Sequence, residues 1–139
     1  MSSIRDQIRR NFVALVSLTV ALAGFGYNTW RNELSEENRN HRTVAIELLL
    51  ELGSFQRLVF QRHYDKDETI SPRVGWAHVL MIRDLSTLLP STEQQGERLR
   101  STWQSHWSSL GENQDSADQV LAETNTLRQQ VLAVIASLE

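Results

Sequence analysis

The chain has no cysteine, only two prolines and a single lysine, Lys66, in 139 residues. Without cysteine there is no disulfide framework, no thiolate metal site and no cysteine nucleophile. With proline confined to positions 72 and 90, no ring-locked residue interrupts a helix anywhere in the first 71 positions. No segment alternates apolar and polar residues long enough to read as a strand, and neither an internal repeat nor a low-complexity linker is present. Positive charge is outnumbered outside the N-terminal tail. Asp and Glu number 17 against 14 Lys and Arg, and Arg5, Arg9 and Arg10 face only Asp6 in that tail, so the remainder is more acidic than the total. An acidic domain without a basic stripe is a poor binder of nucleic acid, and none is expected as a partner.

What the chain does have is one long apolar run. Phe12 to Trp30, FVALVSLTVALAGFGYNTW, is 19 residues without a charge. As a helix it is roughly 28 Å long, close to the hydrocarbon thickness of a bilayer. Arg9 and Arg10 close one end; Tyr27, Trp30 and Arg31 close the other, where amphipathic rings and a guanidinium suit the headgroup layer. A cleaved secretory signal is the competing reading, with Ala21-Leu22-Ala23 as the cleavage motif. The apolar character continues past that motif through Phe25 to an aromatic boundary, which favours a retained transmembrane helix. Ala14, Ser17, Ala21, Gly24 and Asn28 recur at spacings of three and four and share one face. Such a stripe suits close packing of a second membrane helix, from another copy or another membrane protein, although small residues are also common in membrane spans.

Orientation is nearly balanced. Arg5, Arg9 and Arg10 precede the span and Arg31, Arg39 and Arg42 follow it. Two of the first group and one of the second abut the membrane, which favours a cytoplasmic N-terminus and an extracytoplasmic domain.

Four segments are expected: a short basic tail (1–11), the transmembrane helix (12–30), a polar helical stalk (31–44) and a helical bundle domain (45–139). The set Leu34, Asn38, His41, Ala45, Leu48, Leu52, Phe55, Val59 is polar in its first half and apolar in its second, so a stalk enters a core. Asn38 or His41 would fix register if the stalk self-associated as a coiled coil; solvent exposure is the plainer alternative. One helix is therefore expected from near Ile4, with Ile8 on the same side, to near Tyr64, with Gly53 tolerated. Ser71 and Pro72 read as an N-cap and first turn of a helix over 72–89, with Val74, Ala77, Leu80 or Met81, Leu85, Leu88 and Leu89 as its apolar set. Pro90 ends it. Ser91 and Gln94 suggest a capping box for a helix over 92–110, with Leu99, Trp103, Trp107 and Leu110 inward and Gly111 as its C-terminal cap. A last helix opens near Asp115 or Ser116 and carries Val120, Thr124, Leu127, Val131, Val134 and Leu138. The fold class expected is all-α, an N-terminal transmembrane helix continuing into an antiparallel bundle of about four helices.

Motifs of chemistry are absent. Asp65, Asp67 and Glu68 beside His63 resemble a cation loop only until Ile70 and Trp76 occupy the positions where an EF-hand needs Gly and Glu. The four histidines, at 41, 63, 78 and 106, include no pair at i, i+4. There is no GxSxG and no phosphate-cradling glycine loop, so no metal, no cofactor and no enzymatic activity is expected. The segment Ser101 to Leu110 is free of charge and holds Trp103, His106 and Trp107. Filling of the core is the ordinary reading of such tryptophans, and a docking patch for a protein partner is the sharper one.

The segments YNTWRNELSEENRNHRTVAIELLLELGSFQ, HYD at 63–65 and GWAHVLMIRDL at 75–85 resemble small single-pass inner-membrane proteins of proteobacteria, to which no activity is attached. The plan also resembles the membrane-anchored bundles of bacterial sensors, but without their second membrane helix or output domain. The function expected is that of an accessory or scaffold subunit acting through protein–protein contacts. The alternative is a ligand- or stress-sensing bundle that signals through a membrane partner.

Overall fold

The computed structural model describes residues 4–138; the first three residues of the tail, the last residue of the chain, and the side chains of Ile4 and Ile8 lie outside the described residues. All regular structure among them is helical: α1 (Ile4–Arg10), α2 (Phe12–His63), α3 (Arg73–Thr87), α4 (Glu93–His106) and α5 (Gln114–Ser137). The expected all-α class, a long apolar N-terminal helix followed by a helical bundle, is observed. The single helix expected from Ile4 onward is assigned as two, parted only at Asn11, yet the amide of Asn11 still reaches Gln7 O (3.0 Å) and that of Leu15 reaches Asn11 O (2.9 Å). The chain falls into two compact units, divided between Asn38 and Arg39.

The first unit is helical over its described length except at Asn11. In the second, the pairing of side chains fixes direction. Residue 75 meets 103 and 86 meets 96, so α3 and α4 run antiparallel. Gln95 meets Glu123 and His106 meets Ser116, so α4 and α5 do as well. Gln56 meets Arg128 and His63 meets Gln114, which sets α5 antiparallel to α2. Short connections between neighbouring helices leave an up-and-down arrangement as the natural outcome.

The core is built from one stripe per helix. Ala45, Leu48, Leu52, Phe55 and Val59 from α2, Leu99 and Trp103 from α4, and Val120, Leu127 and Val131 from α5 are buried, as their spacing predicts. Buried hydroxyls are satisfied locally: Ser86 and Thr124 donate to the carbonyls of Ile82 and Val120, each 2.7 Å away.

On α3 the sequence reading is corrected. Its buried face is Gly75, Val79, Ile82 and Ser86, whereas Val74, Ala77, Leu80, Met81 and Leu88 are exposed. The reason is close approach. Trp103 lies flat enough on Gly75 that a Cβ there would fall 2.2 Å from Cζ2, and Ser86 sits against Gly96, where a Cβ would fall 2.6 Å from the serine Cβ. The face that packs sets Val79 and Ile82 between the small residues Gly75 and Ser86, and of the expected apolar set Leu85 is partly buried and Leu89 is buried.

Two expected caps also differ. Ser91 has φ 66°, and α4 begins at Glu93 with Thr92 as its N-cap, whose side chain makes no capping bond. The Thr92 hydroxyl instead turns back to the carbonyls of Ser86 (2.9 Å) and Leu89 (3.0 Å), closing the frayed end of α3. α4 stops at His106 rather than near Leu110, and Gly111 is not in the left-handed region. The Arg62 guanidinium stands against it, with Nε 3.0 Å from where its Cβ would be. By contrast Ser71 Oγ accepts from the amide of Arg73 (3.3 Å), and Asn113 caps α5 by accepting from Ser116 N (3.2 Å), one or two positions from where the sequence places these starts.

Candidate functional site

The first candidate lies in the amino-terminal unit. Its apolar segment presents Phe12, Val13, Leu15, Val16, Leu18, Val20, Leu22 and Phe25 as exposed side chains, Phe25 at 75%. A helix of a water-soluble protein buries an apolar stripe and shows a polar one; this one is apolar on every side. By length and composition it can cross a membrane. Its hydroxyls suit that medium, since Thr19 and Thr29 donate to the carbonyls of Leu15 (2.9 Å) and Phe25 (3.0 Å) one turn back. Tyr27 and Trp30 stand together at its end, ring centroids 6.1 Å apart. Arg9, Arg10 and Arg31 are exposed at the margins of the segment.

Ala14, Ser17, Ala21, Gly24 and Asn28 are likewise exposed. A Cβ placed on Gly24 meets nothing within 4 Å, so the small side chain there is not required by the chain's own packing.

The second candidate is the tryptophan edge of α4. Trp103 is fully buried, edge-on to Phe55 at 5.1 Å and stacked over Gly75; its indole N–H finds no acceptor among the described residues. It is a core residue. His106 and Trp107, at the end of α4, keep part of their surface. His106 Nδ1 lies 3.0 Å from Ser116 Oγ, and that hydroxyl lies 2.8 Å from Ser109 Oγ, tying the end of α4 to the start of α5. A serine next to a histidine invites comparison with a nucleophile and its base. Ser116 is only 2% exposed and beyond the reach of a substrate, so the pair serves the joint between helices.

Around the acidic turn, the His63 ring bonds to the Leu110 carbonyl and the Gln114 side chain. Asp67 Oδ1 is taken by the hydroxyl and amide of Thr69 (2.5 and 2.9 Å), and the hydroxyl above all holds the Asp67 carboxyl below the usual carboxylate range. Among the described residues no group of three His, Asp or Glu side chains is placed to hold a metal ion. An open groove of about 690 Å³ along α4 and α5 is lined by Glu93, Glu97, Arg98, Ser101 and Glu123, on residues that the sequence reading does not single out.

Sequence reasoning names His63 and His78 but misses that each joins helices. His78 Nδ1 pairs with Glu51 Oε1 at 2.6 Å between α3 and α2, both half-buried. His63 is 4% exposed. The signal for His63 is present in the chain, because the core series Phe55, Val59 extended by four more residues lands on it. Comparison with protein-family models, with curated proteins and with solved structures finds no match to this chain.

Proposed function

We propose that the protein is a single-pass inner-membrane subunit whose bundle and anchor bind other protein chains, with no enzymatic activity of its own. One observation carries the reading: α2 is apolar and exposed on every side between Phe12 and Phe25, and the same helix supplies the bundle core from Ala45 to Val59. Such a helix has no soluble role for its first half, and its second half is committed to a domain. The small-residue stripe Ala14, Ser17, Ala21, Gly24, Asn28 supports contact with a second membrane helix, its own copy or a partner's. His106 and Trp107 remain as the part of the tryptophan edge available to a partner.

The sensing alternative asks for a pocket lined by Trp76, Trp103 or His106. Dense packing of Trp103 between Phe55 and Gly75 favours the scaffold reading. The proximity of Arg9 and Arg10 to the span supports a cytoplasmic N-terminus and a periplasmic domain.

The test is purification of the tagged full-length protein from native membranes in mild detergent, followed by mass spectrometry and particle mass. A stoichiometric second membrane protein, lost when Ala21 and Gly24 are both replaced by Leu, is the expected result. A lone monomer, or recovery in the soluble fraction, overturns the proposal.

A further inference from the structure

Both ring nitrogens of His63 face oxygen. Nδ1 lies 2.6 Å from the Leu110 carbonyl and Nε2 lies 2.9 Å from Gln114 Oε1, at a side chain almost wholly buried. A carbonyl only accepts. The Gln114 amide is oriented by its other end, where its NH₂ donates to Asp118 Oδ1 (2.7 Å) and to the Tyr64 hydroxyl (3.2 Å). Turning that amide over would set its oxygen against a carboxylate oxygen. A neutral imidazole has one N–H to give and an imidazolium has two, so only the cation satisfies both partners.

We propose that His63 is held here as an imidazolium and acts as a proton-dependent latch between the end of α2 and the α4–α5 turn. Loss of the proton leaves a ring lone pair against an oxygen lone pair, and the turn is released. His63 closes α2, where the helix dipole favours a cation. The Tyr64 ring stands edge-on to it at 4.7 Å. The charges in the segments that meet there are Arg62 on α2, Asp65, Lys66, Asp67 and Glu68 in the turn that follows, Glu112 in the α4–α5 turn, and Asp115 and Asp118 on α5. Lys66 Nζ holds the same turn through the Gly111 carbonyl (2.9 Å), without the help of His63. Asp118 is the anion that sets the polarity of the chain of bonds, and it does so through Gln114. This inference is independent of the subunit reading above.

The experiment uses the full-length protein in detergent with ¹⁵N-labelled histidine. Two-bond ¹H–¹⁵N spectra report the protons on the His63 ring, and hydrogen exchange reports the Glu112 and Asn113 amides, both bonded to Ser109 O. The expected result is a doubly protonated His63 while the turn is protected. As the ring loses a proton, exchange corrected for its intrinsic pH dependence quickens roughly five- to tenfold, the factor for one lost buried hydrogen bond. Asp118→Asn frees Gln114 to turn its NH₂ toward a neutral ring, so the pH-dependent step disappears while helicity by circular dichroism is unchanged. A neutral, single-tautomer His63 beside a protected turn, or the same pH step in Asp118→Asn, overturns the proposal.

Discussion

Trp103 is the largest fully buried side chain of the bundle, and what surrounds it sets what its loss would do. Truncation to Ala removes a full aromatic from a site bounded by Phe55 and the Gly75 backbone, which cannot collapse far. Trp103→Ala is expected to cost about 3–5 kcal/mol, against roughly half of that for the half-exposed Trp107→Ala. Chemical denaturation midpoints of the two variants measure the difference, and equal losses would place Trp107 in the core as well. Asp67 makes a prediction of opposite kind, since it is solvent-exposed and acts on a turn. Its carboxyl lies below its ordinary value because the charged form accepts two bonds from Thr69. The contribution is present above the unfolded carboxylate value and is lost as the pH falls through the folded one. Protection of the Thr69 amide, measured as exchange relative to its intrinsic rate at each pH, is expected to fall on acidification through that window and to be already lost in Asp67→Ala at neutral pH.

Where elements meet, small residues decide the outcome. Gly75→Ala sets a methyl into the Trp103 ring, and α3 must lift away from α4; the expected cost is about 1–3 kcal/mol, read from the thermal or denaturant midpoint. An unchanged midpoint would show that the two helices slide freely. Ser91 carries a left-handed backbone between α3 and α4 with a side chain that the capping box does not use. Ser91→Gly is therefore expected to raise stability by up to about 1 kcal/mol, the left-handed penalty less the added freedom of the unfolded chain. These same junctions mark where the sequence could and could not be read. The stripes of α2, α4 and α5 are legible because large apolar residues occupy them at helical spacing. α3 misleads because its inward face holds Gly75 and Ser86 where Trp103 and Gly96 approach, while apolar Val74, Leu80, Met81 and Leu88 stand outside it, so apolar periodicity does not single out the packed side. The His63 latch is invisible to spacing alone, since Leu110 and Gln114 enter it from 47 and 51 residues further along the chain.

At the scale of the whole molecule, the carboxyl-terminal unit has a hydrophobic core that draws on α2, α3, α4 and α5 and begins at Val44. A fragment of residues 39–139 is expected to be soluble without detergent and to unfold in one cooperative urea transition, with a slope of about 1–2 kcal/mol per molar. A broad, non-cooperative transition would show that the bundle depends on the amino-terminal segment. The order in which the ribosome delivers these helices adds a further constraint. The core stripe of α2 is made first and its α5 partner last, from Val59 to Val131. At roughly 5–20 residues per second, the apolar face of α2 waits on the order of 4–14 seconds for that partner, while α3 and α4 give it partial cover. Chaperone crosslinking to nascent chains is expected to peak at lengths between these two events and to fade once α5 has emerged.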